Sequence, residues 1–558
     1  MEDKSPENPL THPTQAAASV LGAAGVDPRA EQKASFFQQR NSGPAEITAG
    51  ITGVVIGGKR KDDGPYSTNN EGIPWPDPAH SKNIGGIPVA SDTFLFQKQK
   101  TSNRSKTLER MAHPAGSGAF GYFECTKDMS DLTMADLYSE AGKKTPIFMR
   151  FSTVTFGKEF PNQGRNPRGF AIKHYTKDGN YDIVGLNWPI FFCRDPIQGP
   201  DVIRSQQRNP ANFLLDYNAT FDFLANVPES NHAGMMYFSN HGHPKGWRKM
   251  HGFGCHTFMW VNKEGQFVYI RYDITLFFTW KEAVQKCGED PDFSERDLWK
   301  PIEKGEPVTW TAKVQIMKPE QADPESLDFG RLVLNKNPEN YHRDVEQSAF
   351  SPGNMVPGIQ DSPDILLQFR MFFYRDAQYH RIGVNLHQVP VNCPFMSRPY
   401  ASINFGGPLR SDGNTSGNPQ WVPNSFVNKF SPTPPNVVSR QGHHYSEGTS
   451  KEYDQARELY IRAMSDKVRV DLHHNTAVLL KLVEHSIIQK EYLAQCYCIK
   501  PEYARAIYDL LPPKDFDFEE VEEMAKDAPT FGKEKRFIPF EESHRLVGKP
   551  AIIPTYQT

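Results

Sequence analysis

Between about residue 118 and residue 335 the chain breaks into short runs of aromatic and β-branched residues, bounded by Gly, Asp and Asn. FGYFECT, PIFMRFSTVTF, GFAIKHYT, YDIVGLNWPIFF, HTFMWVN and QFVYIRYDITLFF are such runs. Segments of this length and composition read as strands joined by turns. So many strands in one stretch must pair with one another, and a sheet that closes on itself leaves no edge exposed. The pattern predicts a mostly antiparallel barrel filled by its own side chains.

The flanks differ. Residues 1–90 are rich in Pro, Gly, Ala and Asn and read as an extended N-terminal arm. The barrel domain is expected over 91–335. Residues 336–450 read as a segment that wraps another surface and carries one helix. For that helix Ser362 is the expected N-cap and Pro363 its first residue; the run reaches Arg381 and stops at Gly383. Helical periodicity dominates 451–512, where Leu472, Leu479, Leu480 and Val483 share a face. The tail, 513–558, is charged and Pro-interrupted and is expected to lie over the surface. The fold class is α+β.

Charge narrows the function. Lys plus Arg number 63 and Asp plus Glu 66, so the net charge is -3. No basic excess points to nucleic acid or to a membrane surface. The apolar runs are too short for a membrane span. The N-terminus, MEDKSPENPL, lacks an apolar signal core, and Tyr556-Gln557-Thr558 is not the common peroxisomal Ser-Lys-Leu. An intracellular location, cytoplasmic or peroxisomal, is expected. Seven cysteines without zinc-type pairs read as free thiols.

The sharpest chemistry lies in RMFFYRDAQYHR. Arg370 and Tyr374 are four residues apart and share a helix face. A tyrosine binds ferric haem as phenolate, although a free phenol loses its proton only near pH 10. An adjacent guanidinium favours the anion. Read alone, the pair also suits an ordinary amphipathic helix. Its surroundings decide: Arg370, Phe372, Tyr374, Asp376, Arg381 and Gly383 resemble the haem-ligand helix of the small-subunit monofunctional catalases. RFSTV, NPRGFAIK, GCHTF and RLVLNKNP follow in that family's order, so the resemblance covers about 110–510. It implies the catalase-like fold: an antiparallel eight-stranded barrel with an arm, a wrapping segment and a C-terminal helical region. It implies haem b with Tyr374 as the iron ligand and Arg370 as its charge partner. Arg110, Arg150 and Arg381 are the implied haem-propionate contacts, with His256 also at the cofactor. A homo-oligomer, tetramer or dimer, is implied as well.

ERMAHPAGSGAFGYFE resembles the family's distal-histidine segment. His113 is thereby the implied acid–base group over the iron, and Ser152 the hydroxyl that fixes its tautomer. Around them the chain departs from the family. VGLNWPIFF stands where catalases read VGNNTPIFF, so Leu186 replaces the amide that donates to peroxide, and Asn187 would face the other way on a strand. Asn166 replaces a channel Asp, Gly199 a Phe near the haem, and Ala112 a Val; Phe191 and Phe192 are retained. These changes are expected to give a roomier, less polar pocket. The family's FSDRG is FSNHG, with His241 at the Arg that meets the NADPH phosphate and Phe213 where a family His would be, so NADPH has only weak support.

The leading expectation is a catalase-like haem oxidoreductase redirected to a small organic substrate, with oxygen, peroxide or superoxide as oxidant. Catalase-like enzymes of fungal natural-product pathways work this way, and oxidative cyclisation of prechanoclavine in ergot-alkaloid biosynthesis is the candidate reaction. The alternatives are an ordinary catalase, in which Asn187 or a water replaces the lost donor, and a haem-binding protein without turnover.

Overall fold

The computed structural model describes residues 67–84, 87–88, 91–104, 108–273, 280–320, 324–397, 406–410 and 450–531. Most of the arm and residues 411–449 of the wrapping segment lie outside the described residues.

Nine strands build one antiparallel sheet: β1 (Gly116–Cys125), β2 (Lys144–Thr153), β3 (Arg168–Thr176), β4 (Gly179–Leu186), β5 (Phe258–Val261), β6 (Phe267–Asp273), β7 (Val308–Met317), β8 (Glu325–Lys336) and the three-residue β9 (Ile359–Asp361). Their order is β9-β5-β6-β7-β8-β1-β2-β3-β4. Phe151 on β2 stacks on Trp310 of β7 at 5.5 Å, and Phe170 on β3 meets the same ring edge-on at 5.9 Å. Strands separated in the sheet can share a ring contact only if the sheet curls around it. Leu186, at the end of β4, exchanges backbone hydrogen bonds of 3.0 and 2.7 Å with Phe253, just ahead of β5. The curled antiparallel sheet expected from the strand pattern is present. Buried Phe123, Met149, Phe151, Ile172, Trp260 and Trp310 help fill its interior, as alternating inward residues of a small barrel must.

Three helices that the sequence reading had not assigned follow β4: α1 (Gly199–Arg204), α2 (Tyr217–Asn226) and α3 (Asn231–Phe238). The N-terminal signal for α2 was there in Asp216, whose carboxylate accepts from Ala219 N at 3.3 Å. Further along, after helices at Trp280–Glu289 and Phe293–Glu303, comes the helix here called α4 (Ile365–Ile382). It starts later than expected because Asp364, not Ser362, accepts from Leu366 N and Leu367 N at 2.9 and 3.1 Å. Its stop is as expected: Gly383 has φ +111°, a conformation that favours glycine.

The C-terminal helices are α5 (Asp466–Leu480), α6 (Ser486–Ile499), α7 (Pro501–Leu510) and α8 (Phe518–Met524). Leu472, Leu479, Leu480 and Val483 are buried against α2 and α3 residues such as Phe221 and Phe238. The first part of the tail does not lie over the surface. Phe516, Phe518, Val521 and Ala528 are buried in the same core, because α8 is amphipathic and fixed by an Asp517–Glu520 capping box. Residues 532–558 lie outside the described residues.

The chain divides into two units, residues 1–109 with 379–431 and residues 110–378 with 432–558. The sheet and most of α4 belong to the second. All seven cysteines are free thiols. Among the described residues no helix is long and apolar enough to cross a membrane.

Candidate active site

One rung of the sheet organises the site. Gly116 on β1 faces Ser152 on β2, Ser152 faces Gly169 on β3, and Gly169 faces Leu186 on β4. Paired residues put their side chains on the same face, so Ser152 and Leu186 point to one side from either flank of a glycine. The imidazole of His113 fills the space over that glycine. A Cβ at Gly169 would sit 2.5 Å from His113 Nδ1 and closer still to Ser152 Oγ. Gly169→Ala is therefore expected to push the imidazole off Ser152. It should lower stability by about 1–3 kcal/mol in chemical denaturation and any turnover that uses the imidazole by about 10²-fold.

His113 itself is strained. Its φ of +66° is unusual for a side-chain-bearing residue and costs about 1–3 kcal/mol. The surroundings over-determine it: His113 N donates to Val154 O at 2.9 Å, while Arg150 donates to His113 O at 2.9 Å and to Pro114 O at 3.1 Å. Ser152 Oγ lies 2.9 Å from Nδ1. Burial, then the guanidinium charges of Arg150, Arg370 and Arg110, push the imidazole down to about 3. His113 is thus neutral across the physiological range.

From the other side α4 presents Tyr374. Arg370, buried, donates to Tyr374 Oη at 3.0 Å and to Val184 O at 3.1 Å. It also lies over the Phe191 ring at 5.0 Å. Tyr374 Oη in turn is 3.4 Å from His113 Nε2. With Arg370 donating, the phenol proton points to Nε2, which leaves Nδ1–H for Ser152. Behind Arg370, His256 Nδ1 is 3.5 Å from Asp364 Oδ2. Burial, only partly offset by the hydrogen bond to Asp364, lowers His256 to about 4. Asp364 is held at about 2 because His256 and backbone N–H groups outweigh the upward push of burial.

These histidines make stability depend on pH. His113, His174, His241 and His256 all fall to about 3 or 4, chiefly by burial. The unfolded chain binds their protons near pH 6.5, and the folded chain only at pH 3–4. Stability is fully present above the unfolded value and is lost as pH falls. A melting-temperature series is expected to be flat above pH 7 and to drop steadily from pH 6 to pH 4.

Other expected residues fall into place differently. Arg110 donates to Val345, Glu346 and Ser348 carbonyls at 2.6–2.9 Å, which caps the turn His342–Glu346. Arg110 and Arg150 therefore have backbone carbonyls as partners here, and Arg110 also faces the Glu346 carboxylate at 3.5 Å. Arg381 is buried but lies in the other unit. Leu186 is 1 % exposed and packs with Val154, Trp188 and Phe192. Asn187 does not stand in for the lost donor: Oδ1 accepts from Arg168 N at 2.7 Å and Nδ2 donates to His241 O at 3.1 Å. Asn166 is satisfied by Val154 N, Thr155 N and the Thr155 hydroxyl. Ala112 is half-buried. Gly199 does not open the pocket, because the Phe369 ring comes within 2.7 Å of where its Cβ would be. Phe369, Val154 and the carbonyl turn at 345–348 were missed from sequence; only Phe369, beside Arg370, carried any signal. His241 is kept neutral by burial and turns its ring to Ser239 at 3.0 Å, and Phe213 is 73 % exposed. Neither adds support for NADPH.

The donor set suits a ferric haem: a phenol with a buried guanidinium partner on one face, and a neutral histidine oriented by a hydroxyl on the other. The two faces touch at hydrogen-bond distance in this structure. A flat ring needs about 3.5 Å of contact distance on each side, so the faces must stand further apart to admit one.

Comparison with known proteins gives the same reading. The Catalase family model matches residues 68–329 and 323–428, and the Catalase-related immune-responsive model matches 446–511. A catalase of Methanosarcina barkeri (strain Fusaro / DSM 804) is 38% identical over 497 residues, covering 83% of this chain and 97% of its own. A peroxisomal catalase of Pichia angusta is 41% identical over 392 residues, covering 64% and 77%. Among solved structures, a fungal catalase aligns with a TM-score of 0.76 and 32% identity over 82% of this chain and 99% of its own. Catalase A from Saccharomyces cerevisiae aligns with 0.76 and 32% over 80% and 98%. This chain belongs to the catalase family of oxidoreductases.

Proposed function

We propose that the chain consumes hydrogen peroxide on a haem held through Tyr374, with His113 as the acid–base group. The observation that carries this is the His113–Ser152 pair facing Tyr374–Arg370. The names of the relatives support hydrogen peroxide as the substrate. When bound, haem supplies the redox centre. The protein's own residues do the rest. His113 Nε2 takes a proton from a peroxide oxygen and returns it to the oxygen that departs as water. Ser152 keeps Nδ1 protonated so that Nε2 is the accepting atom. Arg370 stabilises the phenolate of Tyr374. Arg110 and Arg150 are the residues proposed for the propionates.

A second reading has one observation in its favour. Leu186 occupies the rung beside His113 and Asn187 is committed elsewhere, so no amide donor stands there. The two oxidising equivalents of one hydrogen peroxide would then be spent on a small organic molecule, which loses two electrons and two protons as the peroxide becomes two waters, instead of on a second peroxide. No residue of the site speaks for prechanoclavine in particular, and the relatives favour peroxide disproportionation.

Peroxide loss and oxygen release, recorded together with the haem-loaded protein, separate the two. Disproportionation gives one oxygen for every two peroxides. Peroxide loss without oxygen, dependent on an added organic reductant, supports the second reading. No peroxide loss in either case overturns the proposal.

A further inference from the structure

The backbone strain at His113 has to be held from outside. One turn far along the chain does much of the holding. Tyr341 precedes the turn His342–Glu346, and its hydroxyl donates at 2.8 Å to the carbonyl of Gly116, three residues after the histidine. Gly116 is also the first member of the rung that carries Ser152 and Leu186. The Arg150 guanidinium, which donates to His113 O and Pro114 O, lies beside the same phenol. Three residues before the histidine, Arg110 donates to the carbonyls of Val345, Glu346 and Ser348 at 2.6–2.9 Å.

The segment that pairs with His113 N is tied to the same turn. Lys158, four residues after the Val154 whose carbonyl accepts from His113 N, lies 5.5 Å over the Tyr341 ring and 3.5 Å from Glu346 Oε2. The turn is stiffened within itself: Asp344 pairs with Arg343 at 2.6 Å and accepts from Glu339 N at 3.2 Å. It can therefore act as a fixed point. Tyr341 is 38 % exposed, so its ring fills little of the core, and its hydroxyl is the part that reaches inward.

We propose that Tyr341 is a positioning residue for His113: through Gly116 O and Arg150 its hydroxyl fixes the backbone that leads away from the histidine, and so sets where Nε2 stands. The proposal rests on the reading of His113 as the acid–base group. The hydroxyl meets a backbone carbonyl and a guanidinium, so its effect on chemistry passes through the chain it holds.

The test is a double-mutant cycle read by azide binding to the haem-loaded protein, followed in the absorption spectrum. Azide is the probe because hydrazoic acid leaves its proton on a neutral imidazole as the anion binds at the haem. Tyr341→Phe, which removes only the hydroxyl, is expected to weaken azide about 3- to 10-fold. In a His113→Gln background the same change is expected to have no effect, because the base it positions is gone. An equal loss in both backgrounds means that the hydroxyl only steadies the fold, and it overturns the proposal. So does no loss in either. If His113→Gln itself leaves azide affinity unchanged, the acid–base reading falls as well. If His113→Gln weakens azide and Tyr341→Phe does not, the positioning role alone falls. Lys158→Met loosens the turn from its solvent side and runs through the same cycle, with an expected loss of about 1.5- to 5-fold. It decides the matter if Tyr341→Phe does not take up haem.

Discussion

Haem-loaded His113→Gln is expected to consume peroxide about 10²–10⁴ times more slowly than the wild type, the usual contribution of a positioned acid–base group. Glutamine keeps a polar amide at the position but has no nitrogen that accepts and returns a proton. The wild-type imidazole is present in its neutral form, because burial and then three guanidiniums lower it to about 3. The same shift sets the pH profile. The rate of the wild type is expected to be level from pH 5 upward, where the acceptor form is already complete. The left-handed backbone at His113 adds a second consequence. Glutamine must carry the same strain, so the variant should be no more stable than the wild type. Stopped-flow loss of peroxide absorbance and thermal melting read the two effects separately. A variant that retains more than a tenth of the wild-type rate would remove His113 from the mechanism.

Leu186→Asn carries the second large effect, in the opposite direction. Leu186 pairs with Gly169 on the rung that seats His113, so an asparagine there puts an amide on the imidazole's side of the sheet. One well-aimed donor is commonly worth about 10²–10³ in rate, and oxygen release should rise by up to that factor. The change also places an amide in a wall shared with Val154, Trp188 and Phe192. A buried polar group without a fixed partner costs about 1–3 kcal/mol, so the faster enzyme is expected to be the less stable one.

What the sequence made legible was local. The strands between 118 and 336 declared themselves by composition, and Arg370 with Tyr374 by four-residue spacing along a helix. The pairing of His113 with Ser152 came from family resemblance, and it holds at 2.9 Å. What stayed hidden was long-range. Gly199 reads as added space, but Phe369 fills that space from 170 residues away in sequence (369 minus 199). Arg110 and Arg150 read as charges held for a cofactor's carboxylates, whereas backbone carbonyls at 345–348 and 113–114 take most of their donors and Glu346 already faces Arg110 at 3.5 Å. Such carbonyls leave no trace in residue types. Asn187 read as a spare amide until its two partners fixed it. The helices after β4 were missed because their runs are short and broken by Gly, Pro and Asn.

The central claim is that this site keeps the catalase acid–base pair and lacks the amide that speeds peroxide turnover. It is tested most directly by oxygen release from hydrogen peroxide under one set of conditions, comparing the haem-loaded wild type, Leu186→Asn and the Methanosarcina barkeri catalase. The account predicts a wild type slower than that relative by about 10²-fold or more, with Leu186→Asn recovering much of the difference. A wild type that matches the relative, unchanged by Leu186→Asn, would contradict it.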